Sequence, residues 1–239
     1  MSRMWRSKLE QTMADHQEEH GKNPLGTRTR WGKLATIFSR RDTERHALIA
    51  CLCVLFEDLR IEIAGQSARD LGRLDDCGKN MRDLYFLRRS MATLFEFATV
   101  LDELDQLPSF QAIRARFDKG AAPIWKRALV FFRKHKQYIA RLRHHVGGHF
   151  GKQAATLAVE NLLPDAVGTL EIAFYDGGGG AKLFFGNEIV ATAVLLHVRG
   201  QTTQAKVRKM IRHALVAYRH AAWAVDCVTR TYLWVRFGK

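Results

Sequence analysis

Between Arg141 and Phe150 the chain reads Arg-Leu-Arg-His-His-Val-Gly-Gly-His-Phe, so three of its ten histidines and two arginines fall within nine residues. Three kinds of chemistry suit such a cluster. As metal ligands, His145 and His149 are four apart and would share one face of an intact helix, but two imidazoles are too few to close a zinc site. No carboxylate stands near them in sequence, and nine cationic side chains between Lys119 and Val159 would repel a divalent ion. As structural groups, arginines and histidines at a kinked helix end would cap carbonyls and interact favourably with the helix dipole. As a centre for phosphodiester cleavage, they supply what metal-free RNA hydrolysis needs. An imidazole, with an unperturbed pKa of ~6.5, can take the proton of a 2′-hydroxyl or protonate the leaving 5′-oxygen. Neighbouring arginines lower that pKa and keep a base imidazole neutral. An arginine fork binds two phosphate oxygens and stabilises the phosphorane.

Arg143-His144-x4-His149 resembles the R-x(4–6)-H motif, with a polar residue after the arginine, of the HEPN superfamily (higher eukaryotes and prokaryotes nucleotide-binding). The resemblance covers about residues 42–235. It implies a mainly α fold, a helical bundle of HEPN type. In many members it also implies a metal-independent endoribonuclease of toxin–antitoxin, phage-defence or RNA-processing systems. The product would carry a 2′,3′-cyclic phosphate. The resemblance implies Arg143 as phosphate binder, His149 as general base or acid, and His144 as the polar residue that orients them. It further implies a homodimer in which two copies of the motif, each late in a long helix, form one composite site. Asn or Asp is the commoner residue after the arginine, so His144 departs from the usual form. Arg141, His145 and Lys136 are the expected substrate-binding side chains. Neither a metal ion nor a cofactor is expected. Arg143 and His149 are six apart, which on a straight helix sets them roughly 120° apart around the axis. Either Gly147-Gly148 bends the chain, or the two groups converge across a two-fold axis. Glu96, Arg88 and Arg89 of a neighbouring helix are candidates to approach the cluster, Glu96 as a tautomer-fixing carboxylate or a plain salt-bridge partner.

The surroundings agree with a polyanionic partner. The net charge is +14, from 38 Lys+Arg and 24 Asp+Glu among 239 residues. Residues 109–152 hold eleven basic and one acidic side chain, and no Asp or Glu occurs from Lys119 through Val159. Residues 41–108 hold nine basic and thirteen acidic. Like charges at this density persist most easily where a polyanion neutralises them, which makes RNA the leading partner. The alternative is a basic face docked on the acidic 41–108 block. Two other functional readings remain: a non-catalytic RNA-binding or regulatory helical protein using the 109–152 block, and a chain whose basic face binds an acidic partner such as an antitoxin. No amphipathic anchor accompanies the basic block, so a membrane surface is not expected as partner.

The elements that would carry these residues are mostly helices. Leu84, Leu87, Met91, Leu94, Ala98 and Leu101 recur at alternating spacings of three and four, one stripe of a helix. Residues 42–63 are apolar nearly all round in their first half, predicting a central helix with Asp42 or Thr43 as N-cap. A third helix starts near Pro123, runs through Trp125, Phe132 and Tyr138, and meets Gly147-Gly148. A last helix spans about Thr203–Trp234, with Arg208, Arg212, Arg219 and Arg230 within roughly 40° as a wet face. Ile211, Leu215, Tyr218 and Val225 take an apolar face of it. Alternation in Leu170–Phe174 and the glycines 177–180 predict a β-hairpin insertion near 169–186. Residues 1–40 form an N-terminal helical and basic arm, and 41–239 form the HEPN-like domain. In the arm, Trp31 can stack on a nucleobase or pin the arm to the core, and pinning is the favoured reading.

Several classes are excluded at this stage. The longest apolar run, Ala47–Phe56, has ten residues, about half the ~20 needed to cross a bilayer. No apolar segment follows Arg3, Arg6 and Lys8, so no signal peptide is expected. Cys51, Cys53, Cys77 and Cys227 have no C-x-x-C spacing and read as reduced core thiols of a cytoplasmic protein.

Overall fold

The computed structural model describes residues 34–38, 40–67, 76–143, 152–162, 164, 170–175, 178–183, 185–196, 198–200 and 202–236. Over these the chain is mainly helical. Helix α1 is Thr43–Ser67, α2 Asp76–Gln106, α3 Pro108–Arg114, α4 Ala121–Leu142, α5 Lys152–Glu160, α6 Phe185–Leu195 and α7 Thr203–Val228. Strands β1 (Leu170–Tyr175) and β2 (Gly178–Leu183) pair antiparallel, with Leu170 opposite Leu183 and Tyr175 opposite Gly178. A π-helical turn, Thr229–Leu233, continues α7 toward Trp234–Arg236.

Four long helices make the body. The pairs α1–α2, α2–α4, α4–α7 and α7–α1 are neighbours, and α2 also meets α7. Cross-helix contacts fix the directions. Glu62 meets Thr93 while Gly65 meets Phe86, so α1 and α2 are antiparallel. Trp125 reaches Asp105 while Arg143 reaches Glu96, so α2 and α4 are antiparallel. Phe131 stacks on His220 while Ala121 accepts from Cys227, which orients α4 against α7 in the same sense. Phe56 on Tyr218 and His46 on Tyr232 close the ring between α1 and α7. An up-down-up-down bundle follows.

The apolar stripe of α2 carries the core. Leu87, Met91, Leu94, Ala98 and Leu101 are buried as their spacing predicts, and Leu84 is half-buried at the stripe's start. Trp125 and Phe132 of α4 enter from one side, Phe132 against Phe97 at 5.4 Å between ring centres and Trp125 against Phe110 at 5.2 Å. Large side chains of this kind each contribute about 1.5–3 kcal/mol on burial. Helix α7 presents Met210, Ala214, Ala217, Ala221, Ala224 and Val228 at alternating spacings of four and three, all buried. Its small side chains let its backbone approach its neighbours closely.

Two local expectations are corrected. Helix α1 is not central: Val54 is 60% and Ile61 65% exposed, while Ile49, Leu52 and Leu59 face inward. Four helices packed around one shared core each keep an outer face. Nor are all the cysteines core thiols, since Cys51 is exposed on α1 while Cys227 is buried. The chain enters α1 through a 3₁₀ turn, Arg40–Asp42, in which the Thr43 hydroxyl donates to the Arg40 carbonyl. Asp42, directly before the helix, pairs with Arg45 at 2.9 Å and accepts from the Ser109 hydroxyl. Helix α7 begins at Thr203 as expected, and the Thr202 side chain caps it by accepting from the Ala205 N–H.

The end of the 1–40 segment is joined to the bundle, since Ile37 is buried in the core and its carbonyl accepts from Arg236 at 2.7 Å. Trp31 lies outside the described residues. Where α1 crosses α2, a Cβ on Gly65 would stand 2.5 Å from the Phe86 ring. Gly65→Ala is therefore expected to lower stability, because overpacking of about 1–3 kcal/mol outweighs the ~1 kcal/mol gained in helix propensity. A urea midpoint that rises instead would mean Phe86 swings clear.

Candidate functional site

Helix α4 starts where Asp118 Oδ1 accepts from the backbone N–H groups of Gly120 and Ala121, at 2.8 and 2.6 Å. From there its side chains sort by angle. Trp125, Ala128, Phe132 and Ile139 point into the core. Arg133 and Lys136 turn toward α2, where Asp102 accepts from Arg133 Nε at 2.8 Å and lies 3.6 Å from Lys136 Nζ. Burial pushes the Asp102 carboxyl up, but hydrogen bonds and charge from Arg133 outweigh it and hold the group below its usual value. Asp105 is almost fully buried and accepts from Trp125 Nε1 at 2.9 Å, Arg114 Nη1 at 2.6 Å and Arg133 Nη2 at 3.1 Å.

Arg143 continues the helix at its C-terminal end, its backbone N–H donating to the carbonyls of Ala140 and Ile139. Its guanidinium pairs with Glu96 of α2 at 2.7 Å and lies over the Phe95 ring at 4.5 Å. The two side chains are 38% and 46% exposed, so one side of the guanidinium is neutralised while the other faces water. Arg89 lies at 3.6 Å from Glu62 rather than reaching toward α4. His144, His145 and His149, with Gly147-Gly148, lie outside the described residues.

The basic block is thus divided. Arg114, Arg133, Lys136 and Arg143 dock on acidic residues of α2. Lys126, Arg127, Lys134 and Arg141 point outward within an arc of roughly 100°, with Val130 between them. None of those four makes an ion pair among the described residues. Of the expected substrate-binding residues, Arg141 belongs to this exposed row and Lys136 stands on the opposite flank of the helix.

Beside the exposed row runs the α4–α7 seam. Phe131 stacks on His220 at 4.3 Å between ring centres, with 15° between the planes, and on its other side meets His135 at 4.6 Å. His213 lies 6.0 Å from His135 and 5.5 Å from Tyr138. Burial first, then neighbouring cations and imidazoles, hold all three histidines below their ordinary pKa: His213 and Lys134 at His135, Lys209 and Arg212 at His213, Arg219 and His135 at His220. The Tyr138 hydroxyl and His220 Nδ1 are buried without a hydrogen-bond partner among the described residues. An open groove of about 510 Å³ lies along the seam, lined by Pro123, Lys126, Arg127, Val130, Phe131, Lys134, His135 and His220. A second, of about 370 Å³, has Arg208, Arg212 and Arg219 around Ile211, Leu215 and Val216 on α7. Leu215, expected on an apolar face, is 49% exposed there.

No protein family, curated protein or solved structure matches this chain. The chemistry rests on its own residues. Among the described residues neither groove is lined by a carboxylate, and both present guanidinium or ammonium groups around apolar or aromatic surface. Such a surface attracts anions and offers flat faces to an aromatic ligand. Among the described residues no three His, Cys, Asp or Glu side chains are placed to hold a metal ion, and no helix is long and apolar enough to cross a membrane.

Sequence reasoning had not brought His135, His213 and His220 together. A signal was present: Phe131, His135 and Tyr138 are spaced four and three apart, and His213 and His220 seven apart, each set on one helix face. That the two faces meet is a property of the packing.

Proposed function

We propose that this protein acts on RNA as a metal-independent endoribonuclease of HEPN type, a cytoplasmic homodimer serving toxin–antitoxin or phage-defence chemistry. The observation that carries the reading is the row of exposed cations, Lys126, Arg127, Lys134 and Arg141, leading along α4 to the motif arginine Arg143. The row would hold the strand by its phosphates. His149 would take the proton of a 2′-hydroxyl. That oxygen attacks the adjacent phosphorus, the bond to the 5′-oxygen breaks, and the leaving oxygen takes up a proton. Arg143 would stabilise the phosphorane charge, with His144 orienting the pair and His145 assisting substrate binding.

A second reading is favoured by one observation. Arg143 is already paired with Glu96, which suits a non-catalytic RNA-binding or regulatory protein. One assay separates them: end-labelled single-stranded RNA incubated with wild-type and His149→Ala protein, EDTA present throughout. Cleavage by wild type alone, leaving 2′,3′-cyclic phosphate ends, is expected. Equal cleavage by both, or activity that only added metal restores, would sink the mechanism. Binding without cleavage by either protein would leave the second reading. In both readings affinity falls with salt, with a log–log slope of about −3 for four phosphate contacts on a single strand.

A further inference from the structure

The α4–α7 groove shares Lys126, Arg127 and Lys134 with the cation row above, but its imidazoles, His135 and His220, have no part in the cleavage chemistry. Three cations of α4, Lys126, Arg127 and Lys134, share it with two imidazoles, His135 from α4 and His220 from α7. Its volume of about 510 Å³ lies in the range of small-ligand sites, roughly 300–1,000 Å³. The groups that act on these imidazoles are Lys134 and His213 at His135, and Arg219 and His135 at His220, with Lys209 and Arg212 beyond at His213. None of them is a carboxylate. Among the described residues, then, positive groups crowd together at the site with no carboxylate acting on the imidazoles, and an arriving anion removes that repulsion.

We propose that this groove is a phosphate-binding site, in which His135 and His220 take up protons as the phosphate docks among Lys126, Arg127 and Lys134. Neutral imidazoles at pH 7 offer one N–H each, whereas imidazolium offers two, so protonation adds donors where the anion sits. Linkage then sets the sign. If the anion favours the protonated rings, affinity rises as pH falls through the histidine range, and bound phosphate raises the pH at which the rings titrate. The phosphate can belong to an RNA strand, which rests on the function proposed above, or to a free phosphate compound, which does not.

The full-length protein is titrated with two probes: inorganic phosphate, and a single-stranded oligoribonucleotide without terminal phosphates, whose charge is constant across the range. The ring resonances of His135 and His220 are followed by NMR, with the buried His46, packed against Tyr232 and outside the groove lining, as reference. Both groove rings are expected to titrate at higher pH once either probe is bound. The oligoribonucleotide, whose charge does not change, should bind more tightly at pH 5.5 than at 7.5, by up to about tenfold for each ring that shifts by one unit. Lys134→Ala should weaken binding at both pH values. His135→Gln combined with His220→Gln should abolish the pH dependence. Because His220 stacks on Phe131, the wild-type ring titration stands as the test even where that double variant folds poorly. A response to inorganic phosphate with none to RNA supports the site and removes the RNA reading. RNA whose affinity falls in Lys134→Ala but is the same at both pH values, with both groove rings unmoved, overturns the site while the RNA reading stands. Rings unmoved by either probe overturn it as well.

Discussion

Arg143→Ala is expected to reduce RNA cleavage by about 10²–10³-fold, the usual effect of deleting one charge-stabilising donor from a phosphoryl or acyl transition state. Stability should fall by no more than about 1–2 kcal/mol, far less than a fold defect would need to cause that loss of activity. The ion pair with Glu96 is largely exposed on both sides, and such pairs contribute about 0–1 kcal/mol. The contact with the Phe95 ring adds about 0.5–1 kcal/mol at an exposed site. Lost activity in a protein that remains folded at the assay temperature, its midpoint only slightly lowered, therefore points to the transition state rather than to the fold. Glu96→Gln provides the reciprocal test. The carboxylate now neutralises the guanidinium that phosphate would need, so its removal should tighten RNA binding by a few-fold, in proportion to the pair's strength of up to ~1 kcal/mol. Full activity in Arg143→Ala would contradict the assignment of this arginine.

The largest structural effect is expected at Asp105. Its carboxylate is buried and accepts from the indole of Trp125 and from two arginines of different elements. In Asp105→Ala the two guanidinium groups, 41% and 48% exposed, can turn to water. The indole N–H cannot, because Trp125 is 1% exposed between Phe110 and Phe117. Leaving a buried donor unsatisfied costs about 1–3 kcal/mol, and loss of the hydrogen bonds to a charged acceptor adds to it. A loss of about 3 kcal/mol follows, roughly a 6–12 °C fall in Tm for a domain of this size. Asp105→Asn keeps an acceptor for the indole and should lose less. An unchanged Tm in Asp105→Ala would mean that the indole finds another partner.

These two predictions mark where sequence reading succeeded and where it stopped. The stripe from Leu84 to Leu101 was legible because a helix that buries one face must repeat at that period, whatever it packs on. The start of α7 at Thr203 was legible because the helical period begins there. Even the docking of basic residues on the acidic 41–108 block was a stated alternative, and it is realised at Asp102, Asp105 and Glu96. Which cations dock was not legible as a block property. Arg133 and Lys134 are adjacent in sequence, yet one faces α2 and the other water, because each step along a helix turns the side chain by about 100°. Composition averages over that turn.

The sequence by itself determined the helical character of the chain, the inward face of α2, and the concentration of positive charge along one stretch that carries the Arg143 motif. Local periodicity and charge count suffice for each of these. Only the tertiary structure decided that α4 lies antiparallel between α2 and α7. That placement neutralises one flank of its charge with Asp102 and Asp105 and sets Phe131 and His135 against His220 on the other. Contacts between residues nearly ninety apart depend on how whole helices pack, and no local rule carries that information.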